Sequence, residues 1–303
     1  MNRNHFERLK KIEGAVVAMT TPIKKNDKID IEGLEKLTQF YLDHEVKNLI
    51  VAGTTGYCYT LTPEEHKQVI ETVSNIADEK AFIIAGVSHS GTNISNRLAD
   101  ICENAGAHAL LMTPPYYHQT RSFEGLFQHY REVAQNHSLP LIIYHTWYSE
   151  YKMDLFRKCA EVENIAGVKE AGVDYEFTRE LLIEMGDRFT VIAGGAMRYF
   201  MWHWMWGARA GVTSLGNLVP EIENKFYEYM LNGELEKART IVIQKEQPFL
   251  EVMSENGWHQ SLHTAMKIFG LPAEKLPLPL VELSQEQENK LKKRFIEIGL
   301  LKK

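Results

Sequence analysis

Cysteine is scarce: Cys58, Cys102 and Cys159 are the only three in 303 residues, far apart and in no metal-ligand spacing. An odd, scattered set excludes a disulfide framework and predicts a reduced, cytoplasmic protein with no bound metal. Long apolar runs are also missing. None approaches the about 20 residues needed to cross a bilayer, and residues 1–11 are polar and charged, so neither a membrane span nor a signal peptide is expected. Basic charge is not in excess either. The net charge is −6, and the short clusters Lys24-Lys25 and Lys292-Lys293-Arg294 are interrupted by acids, which argues against a nucleic-acid partner. No Walker loop and no dinucleotide fingerprint is present, so no cofactor is expected.

The composition is that of an ordinary globular protein, 44% hydrophobic and 24% charged. Short runs rich in Val, Ile, Leu and Ala recur at 14–20, 48–52, 81–87, 107–113, 141–144, 165–169, 189–193 and 210–214. Continuous apolar runs of this length are expected of parallel strands covered on both faces. Amphipathic segments such as 31–44, 63–77 and 123–135 lie between them, the second opening on Thr62-Pro63-Glu64-Glu65, an N-cap, a first-turn proline and a capping-box glutamate. Eight strand–helix units predict an α/β fold, the TIM (β/α)8 barrel. A doubly wound sheet would need a Gly-rich turn after the first strand, where Met19-Thr20-Thr21-Pro22 stands. The division expected is a barrel over 1–225 and a C-terminal helical appendage over 226–303.

Barrel enzymes carry their chemistry where strand ends meet the βα loops. Lys169 closes the run 165–169, and a lysine desolvated among apolar neighbours loses its proton readily and becomes a nucleophile. Tyr144 closes the preceding run, where a phenol can pass protons to a neighbouring strand end. Gly53-Thr54-Thr55-Gly56 follows the second run; its amides and two hydroxyls form a nest suited to a carboxylate. Tyr116 and Tyr117 follow the stiff Thr113-Pro114-Pro115 and suit a binding or subunit surface. His259 and His263 stand four apart without an accompanying ligand, which favours packing over zinc. Cys58 has no histidine partner in sequence and is expected to be catalytically inert, and the Trp-rich stretch 202–206 is expected to form a buried helix.

Gly53-Thr54-Thr55-Gly56, Thr113-Pro114-Pro115-Tyr116-Tyr117, Tyr144, Gly167-Val168-Lys169-Glu170-Ala171 and Gly211-Val212-Thr213-Ser214, in that order and followed by Asn217, resemble the dihydrodipicolinate synthase / N-acetylneuraminate lyase family over nearly the whole chain. The resemblance implies a Schiff base between Lys169 and the keto group of pyruvate or a related 2-keto acid. It assigns the carboxylate to Thr54 and Thr55 beside Gly53, substrate contact to Thr213, and proton transfer to Tyr144. A tyrosine reaching into a neighbouring subunit would complete a relay with Thr55 and Tyr144; the resemblance favours Tyr117 for it. Homotetramers built as dimers of dimers are implied as well.

The sequence departs from the family twice. Tyr57 stands where a glutamate usually follows the Gly-Thr-Thr-Gly turn. After Tyr144 come His145-Thr146-Trp147-Tyr148-Ser149-Glu150, without the arginine that binds the second substrate's carboxylate in the synthases. An arginine fork is hard to replace for bidentate carboxylate binding. Three readings therefore stay open: aldol cleavage or condensation, dehydration of a keto-deoxy sugar acid by the same imine, and a catalytically silent ligand-binding homologue.

Overall fold

The computed structural model describes residues 4–117, 122–146, 152–172 and 174–302. Eight strands alternate with helices: β1 Gly14–Ala18, β2 Asn48–Val51, β3 Phe82–Gly86, β4 Ala109–Met112, β5 Leu141–Thr146, β6 Ile165–Ala171, β7 Thr190–Ala193 and β8 Ala210–Val212. All are parallel, and β8 pairs with β1 to close the barrel. The expected fold class is the observed one. The helices are α1 Asn4–Leu9, α2 Ile31–Asp43, α3 Pro63–Ala77, α4 Thr92–Asn104, α5 Phe123–Asn136, α6 Met153–Cys159, α7 Tyr175–Met185, α8 Met197–Met205, α9 Pro220–Leu231, α10 Leu235–Ile241, α11 Gln247–Ser254, α12 Trp258–Ile268 and α13 Gln285–Glu297. α9 follows the eighth strand and packs against β1.

Local signals set several of these boundaries. The Thr62 hydroxyl accepts the Glu65 amide at 3.2 Å while the Glu65 carboxylate accepts the Thr62 amide at 2.9 Å, and Pro63 opens α3 where no amide is needed. Two apolar layers then form. Val16, Ile50, Ile84, Leu111, Ile142 and Ile192 point into the barrel, and Leu9 and Ile12 join this inner layer from the chain just before β1. The larger layer lies between the strands and their helices. The charged N-terminal segment thus contributes two residues to the inner layer, which its polar average concealed.

β5 and β6 continue two residues beyond their apolar runs, because His145 pairs with Glu170 and Thr146 with Ala171. Their register slips once: Leu141 pairs with Ile165, but Ile142 pairs with Gly167. The extra residue in β6 is a bulge, and it flips the face of everything after it. Without it Tyr144 would face Val168. With it Tyr144 pairs with Lys169, and both face the barrel interior.

The Trp-rich helix α8 corrects one expectation. It buries Met197, Phe200 and His203, but Met205 is 72% exposed and the three tryptophans are only half-buried, Trp204 and Trp206 packing against the edge of the core. Arg209 lies 4.4 Å from the ring of Trp204 and Arg179 5.7 Å from that of Trp206, so guanidinium groups cover these rings at the surface.

Candidate active site

Because all strands run parallel, the turns after β2, β4, β5, β6, β7 and β8 share one rim. Lys169 lies just inside it, buried, with its Nζ 3.9 Å from the centre of the Tyr144 ring. Burial without a carboxylate partner penalises the ammonium, and the Lys169 pKa falls from 10.5 to about 7. The Tyr144 phenol moves the other way, up to about 12, through burial and then through the negative charge of Glu170. A lysine poised to lose its proton therefore faces a phenol that keeps its own.

Behind this pair, on the outer face of the same strands, His145 Nδ1 lies 2.5 Å from Glu170 Oε2, with both residues buried. Glu170 Oε1 accepts the Gly172 amide at 2.7 Å, and the Glu170 carbonyl accepts the Gly194 amide at 2.5 Å. Glu170 thus holds the turns after β6 and β7. Nothing in the sequence assigned either residue a role, and the adjacency of Glu170 to Lys169 was the available signal.

The Gly53–Gly56 turn follows β2 directly. Cys58 N–H donates to the Gly53 carbonyl at 3.2 Å and Tyr57 N–H to that of Thr54 at 3.1 Å. Thr54 is exposed and Thr55 half-buried. A side chain at Gly56 would press on the Met19 carbonyl and the Thr21 hydroxyl, and Thr21 donates to the Gly56 carbonyl at 2.8 Å, which ties this turn to the one after β1. Tyr57, at the family's glutamate position, is buried, with its ring 5.6 Å from His259 on α12. That contact fastens the turn to the C-terminal helices, a link between distant segments that no local pattern signals.

Thr213 follows β8, buried, its amide bonded to the Val16 carbonyl at 3.0 Å and its hydroxyl without a partner among the described residues. Asn217 is structural: it donates to the Ala18 carbonyl at 3.0 Å and accepts from the Tyr41 hydroxyl at 2.9 Å. Tyr116 and Tyr117 stand at the rim, 43% and 80% exposed, and the Tyr117 amide donates to Ser90 Oγ at 3.1 Å. The arginine-free stretch Trp147-Tyr148-Ser149-Glu150 lies outside the described residues.

Cys58 is pushed up to about 11 by burial, far from a reactive thiolate. His263 is buried and His259 half-buried on α12, and burial lowers the pKa of both. No group of three metal-ligating side chains occurs among the described residues. No helix of the structure is long and apolar enough to cross a membrane, again among those residues.

Residues 11–297 match the model of the dihydrodipicolinate synthetase family. The chain is 33% identical over 292 residues to a 4-hydroxy-tetrahydrodipicolinate synthase of Archaeoglobus fulgidus, covering 95% of this chain and 99% of that one. Among solved structures it resembles dihydrodipicolinate synthase of Aquifex aeolicus, with a TM-score of 0.88, 30% identity and coverage of 96% and 100%. It also resembles the Acinetobacter baumannii dihydrodipicolinate synthase complexed with pyruvate, with a TM-score of 0.86, 26% identity and the same coverage. With matches along nearly its whole length, the chain belongs to the dihydrodipicolinate synthetase family and is a lyase of the class I, lysine-imine aldolase type.

Proposed function

We propose that Lys169 attacks the keto carbon of pyruvate or a related 2-keto acid and that the resulting imine drives carbon–carbon bond formation or cleavage. The observation that carries this reading is a buried lysine, its pKa brought down to about 7, held against the Tyr144 ring at the barrel rim. The neutral amine adds to the carbonyl, and water leaves once the carbinolamine oxygen is protonated. The protonated imine then draws in the electron pair when a proton or an aldehyde carbon departs from the adjacent carbon, giving an enamine. Run in reverse, the enamine carbon attacks an aldehyde. Tyr144, which keeps its proton to about pH 12, delivers and recovers the protons at the carbinolamine.

Thr54 and Thr55, with the Gly53 amide, hold the keto-acid carboxylate, and Thr213 contacts substrate from β8. Tyr117, with Thr55 and Tyr144, forms the relay across a subunit boundary in a homotetramer; its 80% exposure in the single chain supports that placement. Three unpaired cysteines suit a cytoplasmic enzyme. Residues 145–151 offer neither arginine nor lysine to receive a distal carboxylate, which favours an aldehyde partner without one.

Borohydride reduction in the presence of pyruvate, followed by peptide mass spectrometry, tests the central claim. A reduced adduct on Lys169 is expected; its absence with pyruvate and with a panel of longer 2-keto acids would falsify the imine.

A further inference from the structure

Glu223 on α9 and Glu246 in the π-helical turn Val242–Glu246 are both buried, and neither forms an ion pair among the described residues. Each is held by amides and a hydroxyl instead. Glu246 accepts the amides of Met197 at 2.6 Å and Arg198 at 2.9 Å, at the N-terminus of α8. That helix has no side-chain cap of its own, and Ala196 before it sits at φ 80°, ψ −178°, a conformation otherwise left to glycine. A carboxylate from 48 or 49 residues away thus supplies the missing cap. Glu223 Oε1 accepts the amides of Ser214 at 2.9 Å and Leu215 at 2.7 Å. The Ser214 hydroxyl joins the two acids, 3.0 Å from Glu246 and 3.4 Å from Glu223.

We infer that Glu246 and Glu223 are positioning residues of the active site, a buried carboxyl clamp through which the C-terminal helices fix the turns after β7 and β8 beside Lys169. The first turn, Gly194 to Ala196, is bonded to the backbone of Glu170, the neighbour of Lys169. The second carries Thr213, and Ser214 is the residue the clamp grips. The inference rests on the reading of Lys169 as the imine-forming residue and extends it to side chains that touch no substrate.

Two buried carboxyls on one hydroxyl cannot both be charged cheaply, so the pair retains a proton at neutral pH. Burial and Glu246 push Glu223 up to about 8, and burial raises Glu246 as well. The other titratable groups facing the pair are Tyr227 from α9, held neutral by its own burial, and Arg198 at the start of α8. As pH rises through about 8, the shared proton leaves, the two charges repel, and the grip on Ser214 loosens.

The test pairs pyruvate half-saturation of borohydride trapping, followed from about pH 6.5 to 9, with backbone hydrogen exchange on the full-length protein. In the wild type the half-saturation concentration should climb several-fold above about pH 8, and in Glu223→Gln the climb should vanish. Ser214→Ala removes only the bridging hydroxyl; it should raise half-saturation about ten-fold and speed exchange at the Met197, Arg198 and Leu215 amides. An unchanged pH curve in Glu223→Gln, or wild-type exchange at those amides in Ser214→Ala, overturns the clamp. Should Glu223→Gln fail to fold, the Ser214→Ala exchange result decides alone. A wild type that traps neither pyruvate nor the longer 2-keto acids sinks the imine reading instead, and exchange then still judges the clamp.

Discussion

Replacing Lys169 by methionine should make the protein more stable, and by an amount that depends on pH. In the folded chain the ammonium is penalised by burial and its pKa lies at about 7, against 10.5 for an ordinary lysine. Between these values the unfolded chain holds a proton that the folded chain has released, so wild-type stability rises with pH across that window. Below pH 7 both states are protonated and the penalty is constant. Linkage over these two values puts the cost of Lys169 at about 4 kcal/mol at pH 7 and about 2 kcal/mol at pH 9. Methionine has nearly the same length, no charge to desolvate and adaptable packing, so it should recover most of this. Urea unfolding of wild type and Lys169→Met at the two pH values measures the difference. A gain that fails to shrink from pH 7 to pH 9, or a loss of stability at pH 7, refutes the claim that Lys169 is held against its charge. The same shift sets its reactivity. About half the Lys169 amines are neutral at pH 7, where an unperturbed lysine offers about one in 3,000.

Tyr144→Phe should still trap pyruvate on Lys169 under borohydride but turn over about 10²–10⁴-fold more slowly, the usual contribution of a positioned proton donor; turnover at the wild-type rate would contradict its assignment. Thr55→Val should raise the half-saturating pyruvate concentration about ten- to hundred-fold, as expected for one lost hydrogen bond to a carboxylate, while Thr55→Ser keeps most of the affinity; equal behaviour of the two variants in a titration would remove Thr55 from the site. In Glu170→Gln burial still holds Tyr144 protonated, but the charge that adds to it is gone. The phenol should then ionise at lower pH, and the alkaline loss of turnover should begin earlier; a pH–rate profile superimposable on wild type would show that Glu170 has no electrostatic hold on Tyr144.

The eight apolar runs announced the barrel because strands covered on both faces need unbroken hydrophobicity, and that need is written locally. Position at the end of such a run singled out Lys169 and Tyr144, and glycines flanking two threonines marked the turn after β2. What lies between strands was not legible in that way. His145 and Glu170 are polar, so they looked like the start of loops; paired with each other they extend β5 and β6 by two residues. The tryptophans at 202–206 looked fully buried, yet they are half-buried, with the guanidinium groups of Arg209 and Arg179 over Trp204 and Trp206.

The sequence by itself determined the order of strands and helices and singled out a strand-end lysine and a strand-end phenol, because each is a local preference or a residue type. Tertiary structure alone decided that the two meet. One extra residue at the start of β6 shifts the register against β5, and side chains alternate faces along a strand, so that single bulge turns Lys169 toward Tyr144. Likewise only folding brings Glu246 from beyond α10 to the N-terminus of α8. A carboxylate that caps a helix 49 residues away leaves no periodic trace along the chain.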